Sequence, residues 1–214
     1  MTKNTLNEQL VLVITRSKFE SLQTHFDMEK NLAKSGDDEV LLLFKNLILR
    51  EGFYPRRSVA EEDESLLQVI PYVTISEKGR KRALAEIRKG GDPRLEGKTS
   101  IGFGGHIEPL DCLDPIAACA RRELREELGY IPSLKEEELR KAWRGFLYTP
   151  LAQEKVSRVH LGLSLVLELD IDTLEYCVLP RNPEEKPKLL TMKELRDNES
   201  NLELWSKIVL NSYL

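Results

Sequence analysis

The chain contains few of the residues that build disulfide frameworks or zinc sites. Its 214 residues include only three cysteines, Cys112, Cys119 and Cys177, and three histidines. The cysteines are odd in number and irregularly spaced, which favours reduced thiols in a cytoplasmic protein over a stapled secreted domain. The scarcity and wide spacing of cysteine and histidine also argue against a zinc site.

Long apolar runs are missing too, and neither charge dominates. The sequence offers no stretch long enough for a signal peptide or a membrane-spanning helix, so we expect no membrane partner. A net charge of −4 argues against broad electrostatic binding of nucleic acid. Hydrophobic residues still make up 41% of the chain, which is enough for a substantial core in one domain, or in one domain with an appendage.

The most informative feature is a group of three carboxylates, Glu123, Glu126 and Glu127. Their spacing of i, i+3 and i+4 places them on one face of a helix. Carboxylates this close repel one another unless a cation lies among them, and oxygen ligands suit Mg²⁺ or Mn²⁺. The simpler alternative is a solvated charged face, because 32% of the residues are charged. We interpret the group as a divalent-metal site for a phosphorylated substrate.

The residues around this group predict a helix from about Pro115 to Leu128. Asp114 can serve as its N-cap, and proline is well tolerated at the first helical position. Gly129 can end the helix in the left-handed conformation. A glycine pair, Gly104-Gly105, precedes the helix and would allow the backbone to approach a ligand, with its carbonyl groups available to a metal.

These residues resemble the Nudix box of MutT-like hydrolases, whose pattern is G-x5-E-x7-R-E-U-x-E-E-x-G-U. The resemblance rests on Gly105, the run from Arg122 to Glu127, and Gly129-Tyr130. The first glutamate of the pattern is absent. Asp111 has the family's spacing from Gly105, whereas Asp114 has its spacing from Arg122. A three-residue insertion reconciles the two, with Asp114 as the equivalent on the helix side.

The resemblance implies roles for these positions. Glu123, Glu126 and Glu127 would hold Mg²⁺ or Mn²⁺ with the carbonyl of Gly105, and Arg122 would orient a glutamate. The implied function is metal-dependent hydrolysis of a diphosphate linkage in a small nucleotide or nucleoside-diphosphate derivative. Shorter runs, among them Leu204-Trp205-Ser206, are similar to a branch of the family described as predicted phosphoesterases.

Other candidates lie outside the helix. In several family members a glutamate beyond the box acts as general base, and Glu154 is one candidate here, with Glu184 and Glu185 as alternatives. Each could equally be a solvated loop residue. Residues near the glycine pair could contact substrate or outer-shell water, or could simply be solvated, and these are His106, Glu108, Arg88, Arg94 and Lys98.

Strand and helix signals along the rest of the chain predict an α+β fold. The resemblance implies a mixed β-sheet sandwiched between helices over residues 69–214. Residues 1–68 would form an N-terminal α/β extension packed on this domain. Within the extension, residues 10–14 predict a strand that could be the pairing edge of a homodimer, an assembly common among Nudix proteins.

Two further functions stay open as alternatives. A diphosphate isomerase would need an additional protonating Cys–Glu pair and a His/Glu metal cluster, and the scarcity of histidine argues against it. A non-catalytic nucleotide-binding or regulatory module would have no need to keep three mutually repelling carboxylates.

Overall fold

The computed structural model describes residues 9–22, 38–88, 95–111, 113–130, 133–153, 155–178 and 187–214. The strands, in chain order, are β1 (Val13–Thr15), β2 (Leu66–Glu77), β3 (Arg82–Ile87), β4 (Thr99–Ser100), β5 (Gly102–Phe103), β6 (Trp143–Leu147), β7 (His160–Leu169) and β8 (Lys188–Thr191). The α-helices are α1 (Arg16–Glu20), α2 (Asp38–Glu51), α3 (Arg57–Ala60), α4 (Pro115–Leu128), α5 (Glu136–Ala142), α6 (Lys155–Arg158), α7 (Ile171–Val178), α8 (Met192–Asp197) and α9 (Leu204–Tyr213).

β2 is the central strand of a mixed sheet. It pairs in parallel with β7, from Gln68 opposite His160 to Glu77 opposite Leu169. On its other edge it pairs antiparallel with β1, β5 and β3 in turn. β7 continues the sheet to β6, and β3 continues it to β4 and β8. Because both edges of β2 are paired, the strand is buried along nearly all its length, as its apolar sequence predicts.

Side-chain alternation along β2 gives the sheet two apolar faces. Val69 and Val73 share a core with Leu124 of α4. Tyr72 points the other way and shares a second core with Val209 of α9. The sheet therefore lies between α4 and α9, and the predicted α+β fold with a sandwiched mixed sheet is confirmed.

Helix α4 begins at Pro115 and ends at Leu128, as predicted. Gly129 has a φ of 68°, and its N–H donates to the carbonyl of Arg125. Asp114 occupies the N-cap position, but its side chain makes no capping hydrogen bond. Its carboxylate lies 3.6 Å from the ammonium group of Lys45 instead.

Several other predictions are refined by the structure. The predicted strand at residues 99–103 is divided into β4 and β5, which pair with β3 and β2 respectively. The ambiguous apolar run at residues 40–49 lies in helix α2. The C-terminal helical region is interrupted between α8 and α9. Helix α7 and strand β8 were not predicted. No helix within the described ranges combines the length and apolar character needed to cross a membrane.

The N-terminal segment shares the core of the main domain. β1 pairs with the first residues of β2, which crosses the predicted boundary at residue 68. The backbone N–H groups of Val11, Leu12 and Val13 donate to carbonyl groups of the same chain, at 3.1, 2.8 and 2.9 Å. The prediction of a pairing edge at residues 10–14 is therefore wrong, because this backbone is already used internally. The homodimer itself stays a prediction.

Candidate active site

Helix α4 brings the three predicted glutamates to one region of the surface. The buried residues Leu124 and Leu128 fix the rotation of the helix, since they pack into the core beneath it. The side chain of Glu123 is 14% exposed, whereas that of Glu126 is 60% exposed. Glu127 lies beside them in contact with solvent. The helix therefore presents its carboxylates at the edge of the core, as the spacing predicts.

The glycine pair approaches this helix closely. A Cβ atom added to Gly105 would lie 2.5 Å from Oε1 of Glu123, so only glycine leaves room for that carboxylate. A Cβ added to Gly104 would lie 2.1 Å from the carbonyl oxygen of Pro71. The thiol of Cys119 lies 3.4 Å from the Gly105 carbonyl oxygen. Backbone and helix thus meet at a point where a carbonyl oxygen and a carboxylate are neighbours.

Arg122 ties the glycine loop to the helix. Its guanidinium donates to the carbonyl of His106 at 2.9 Å, to Asp111 at 3.1 Å, and to the carboxylate of Glu123. Of the two aspartates considered as equivalents of the missing box glutamate, Asp111 contacts Arg122, whereas Asp114 pairs with Lys45. The reason is a 3-10 turn at Pro109–Asp111, which folds the loop back so that Asp111 is buried against the helix. Burial would lower the pKa of Arg122, but Asp111 and Glu123 raise it above its usual range.

Strand β3 supplies two charged residues that face the helix. Glu86 and Arg88 come two and four residues after Leu84, so their side chains point to the same face as Leu84. Leu84 lies in the same core as Leu124, and this face is therefore the one that α4 covers. Their side chains form an ion pair of 3.1 Å. Glu86 was missed by the sequence analysis. The only signal for it was this alternation, with charge on the core face at the end of a strand.

The carboxylates lie where negative charge is unfavourable. Partial removal from water, together with the charges of Glu86 and Glu123, raises the pKa of Glu127 to about 8, although Arg88 opposes the shift. Burial likewise raises the pKa of Glu123, and Arg122 opposes it. Within the described ranges, no three His, Cys, Asp or Glu side chains are placed around a single point where a metal ion would fit. The glutamates are neighbours rather than a closed cage.

The other predicted residues have different surroundings. The His106 ring contacts His160 at the start of β7, with 3.2 Å between their Nε2 atoms, and burial holds the pKa of His106 well below its usual range. Glu108 accepts a hydrogen bond from Gln9 at 2.8 Å. The backbone carbonyl of Lys98 accepts a hydrogen bond from the backbone N–H of Arg88 at 2.9 Å. Four candidates fall outside the described residues, namely Arg94, Glu154, Glu184 and Glu185.

Comparison with known proteins shows which fold the chain shares. No protein-family model matches the chain. Protein YmaB of Bacillus subtilis (strain 168) is 29% identical over 162 residues, which cover 73% of this chain and 75% of YmaB. The crystal structure of Tm1382, a candidate Nudix hydrolase, matches 95% of this chain and 97% of its own with a TM-score of 0.67 and 25% identity. The chain has the fold of a Nudix protein and resembles that family at the box residues as well.

A second Nudix structure shows a looser likeness. A MutT/Nudix family protein from Listeria innocua is 16% identical to this chain, with a TM-score of 0.47 over 68% of this chain and 90% of its own. The match to Tm1382 covers the N-terminal segment as well as the box, so the shared fold extends beyond residues 69–214.

Proposed function

We propose that this protein is a hydrolase that depends on Mg²⁺ or Mn²⁺ and cleaves a diphosphate linkage in a nucleotide or nucleoside-diphosphate derivative. The observation that carries the proposal is the contact between Gly105 and Glu123, one helical turn from Glu126 and Glu127. It places the glycine loop beside one carboxylate, with two more on the same face of α4. Such an all-oxygen set suits hard divalent cations.

The oxygen donors of these residues suit such a metal in their chemistry, although no three acidic side chains of the described residues surround one point. Glu123, Glu126, Glu127 and the Gly105 carbonyl would hold it. Arg122 is the cation on their own helix within 4 Å of Glu123 and Glu126, and it is already shared with Asp111. The pKa of Glu127 is raised first by removal from water and then by the charges of Glu86 and Glu123, and a bound cation would offset the second effect. A bound Mg²⁺ or Mn²⁺ would neutralise phosphate oxygens and lower the pKa of a bound water.

The protein's own groups would position the substrate and take up a proton. Arg88 lies between the α4 glutamates and the end of β3, where its guanidinium is suited to a phosphate. Lys98, Arg94 and His106 remain weaker candidates for the same task. The proton acceptor would be a carboxylate close to Glu127. Glu86 meets that requirement by position, and Glu154 remains the candidate outside the box.

The test is a substrate panel with a matched set of variants. Nucleoside triphosphates, dinucleotides, ADP-ribose and sugar nucleotides would be incubated with Mg²⁺ or Mn²⁺, and the products separated by chromatography. Glu127→Gln should reduce turnover at least 100-fold without lowering the melting temperature. Glu137→Gln, which affects an exposed pair with Lys141 on α5, should keep full activity. Hydrolysis retained by Glu127→Gln, or no hydrolysis by the unmodified protein, would contradict the proposal.

A further inference from the structure

A second carboxylate reaches this region from the other side of the sheet. Glu203 directly precedes α9 and is only 8% exposed. Three hydroxyl groups lie within hydrogen-bonding distance of its Oε1 atom, those of Tyr72 and Ser100 at 2.7 Å and that of Ser206 at 3.3 Å. They come from β2, β4 and α9 respectively. One oxygen of Glu203 is therefore fixed in place by three elements of the fold.

The other oxygen of Glu203 is left without a partner among the described residues. No hydrogen bond to Oε2 is formed there, and no Lys, Arg or His nitrogen lies within 4.0 Å of the carboxylate in that part of the chain. Oε2 keeps some contact with solvent, because it is not one of the fully buried polar atoms that lack a hydrogen-bond partner. Burying a carboxylate is costly unless it is paired or hydrogen-bonded. Three hydroxyl groups and the start of α9 stabilise the charge without using Oε2.

The Glu203 carboxylate is connected to the candidate active site through β4. In the β3–β4 pairing, Glu86 is directly opposite Ser100, one of the hydroxyl residues that hold Glu203. Burial would lower the pKa of Arg88, but the charges of Glu203 and Glu86 raise it, and Glu127 contributes as well. Ser100 therefore links the two groups, because it holds Glu203 at 2.7 Å and lies opposite Glu86, whose carboxylate pairs with Arg88 at 3.1 Å.

We propose that Glu203 is a specificity-determining residue whose free oxygen accepts a hydrogen bond from a hydroxyl or N–H group on the part of the substrate attached to the diphosphate. This inference rests on the proposed function, since it takes the metal-bound phosphates to lie at the α4 glutamates. Arg88 would contact a phosphate between the two ends. A ligand without a donor would cover Oε2 and exclude water from it without offering a hydrogen bond, which is disfavoured.

The Glu203→Gln variant isolates the free oxygen. Its carbonyl oxygen can still accept from Tyr72, Ser100 and Ser206, and only Oε2 is exchanged for an amide group that cannot accept. Tyr72→Phe is the matched control, because it removes one donor from the fixed oxygen and leaves Oε2 unchanged. Glu203→Asp keeps the charge but withdraws the oxygen by one methylene, and it serves the same purpose should Glu203→Gln fail to fold.

Dissociation constants would be measured by calorimetry with Mg²⁺ for inorganic pyrophosphate, ADP-ribose, UDP-glucose, and nucleoside diphosphates in ribose and 2′-deoxyribose forms. We expect at least one nucleotide to bind more tightly than pyrophosphate. Glu203→Gln should weaken that nucleotide about 10- to 100-fold while leaving pyrophosphate unchanged. Weakening confined to ribose forms would assign the donor to the 2′-hydroxyl. Weakening of both forms would assign it to another hydroxyl or to the base.

Three results would overturn the inference. One is that no nucleotide binds more tightly than pyrophosphate. Another is that Glu203→Gln binds every ligand as the unmodified protein does. The third is that pyrophosphate is weakened as much as the nucleotides, which would indicate a structural role. Failure of the proposed function has a different signature, namely hydrolysis that is absent from the start or that survives Glu127→Gln.

Discussion

The guanidinium group of Arg122 lies 3.1 Å from the carboxylate of Asp111, a residue 2% exposed and eleven positions earlier in the chain. Asp111 also accepts a hydrogen bond from the backbone N–H of Glu108 at 2.9 Å. A single buried carboxylate therefore links the α4 helix to the loop that carries Gly105. The position of the loop carbonyl groups depends on this link.

Replacing Asp111 with Asn should loosen that link. The variant removes the most buried of the charge partners of Arg122 and leaves Glu123 and Glu126, so we expect the free energy of unfolding to fall by about 2 kcal/mol. Denaturant titration would measure this. Asp114→Asn is the control, because the Asp114 side chain makes no capping hydrogen bond, and a change below about 0.5 kcal/mol is expected. Equal losses in the two variants would contradict the assignment of Asp111 as the partner.

Gly105→Ala should damage the site without unfolding the protein. The added Cβ would lie 2.5 Å from Oε1 of Glu123 and would force that carboxylate to move. We expect Mg²⁺ binding, measured by calorimetry, to weaken about tenfold or more, which corresponds to about 1.4 kcal/mol. The double variant Gly105→Ala/Glu123→Asp has a shorter acid and should recover part of the loss relative to Glu123→Asp alone. Additive losses in this double-mutant cycle would mean that the two residues do not contact each other in solution.

Glu127 should contribute less to the stability of the metal-free protein as the pH rises from about 4.5 to 8. Glu127 has its pKa raised from an ordinary 4.5 to about 8, first by removal from water and then by Glu86 and Glu123. The native state therefore holds a proton that the unfolded chain has released, and its advantage is full below about 4.5 and lost as the pH passes 8. Melting temperatures of the unmodified protein and of Glu127→Gln would be compared across this range. The melting temperature of the unmodified protein should fall relative to that of Glu127→Gln as the pH rises.

The same proton governs metal binding. Mg²⁺ must displace it from Glu127, so the increase in melting temperature on adding Mg²⁺ should be larger at pH 8 than at pH 6. An increase that is the same at both values, or larger at pH 6, would contradict a site that contains Glu127.

The features that sequence could predict are those decided within a few residues. The bounds of α4 follow from Pro115, Gly129 and the apolar spacing between them, which all act inside one or two helical turns. The partner of Arg122 could not be predicted by spacing, because it depends on how a 3-10 turn redirects the loop. Glu86 and Glu203 are distant from the box in sequence. The β3–β4 register, which places Glu86 opposite Ser100, brings them closer to it in space.

The division of the chain into an extension and a main domain can be tested through Phe44. This residue of α2 is fully buried, and its ring lies 4.8 Å from that of Phe146 on β6. We expect Phe44→Ala to lower the free energy of unfolding by about 3–5 kcal/mol while unfolding stays a single transition. Leu42→Ala, at a 57% exposed position of the same helix, should have little effect. Two separate transitions would instead support independent units at residues 1–68 and 69–214.

Arg88→Gln should weaken the binding of phosphate groups. Its guanidinium forms a 3.1 Å pair with Glu86 and reduces the negative charge around Glu127, so the substitution removes a phosphate partner and leaves both carboxylates less compensated. We expect pyrophosphate to bind about tenfold more weakly at pH 7 with Mg²⁺ present, as measured by calorimetry. Arg82→Gln is a matched control from the other end of β3, where the arginine pairs with Glu77 at 3.0 Å. Because that pair has no contact with the α4 glutamates, pyrophosphate should bind Arg82→Gln as it binds the unmodified protein. Equal weakening in the two variants would show that Arg88 acts only through net charge and does not contact the ligand.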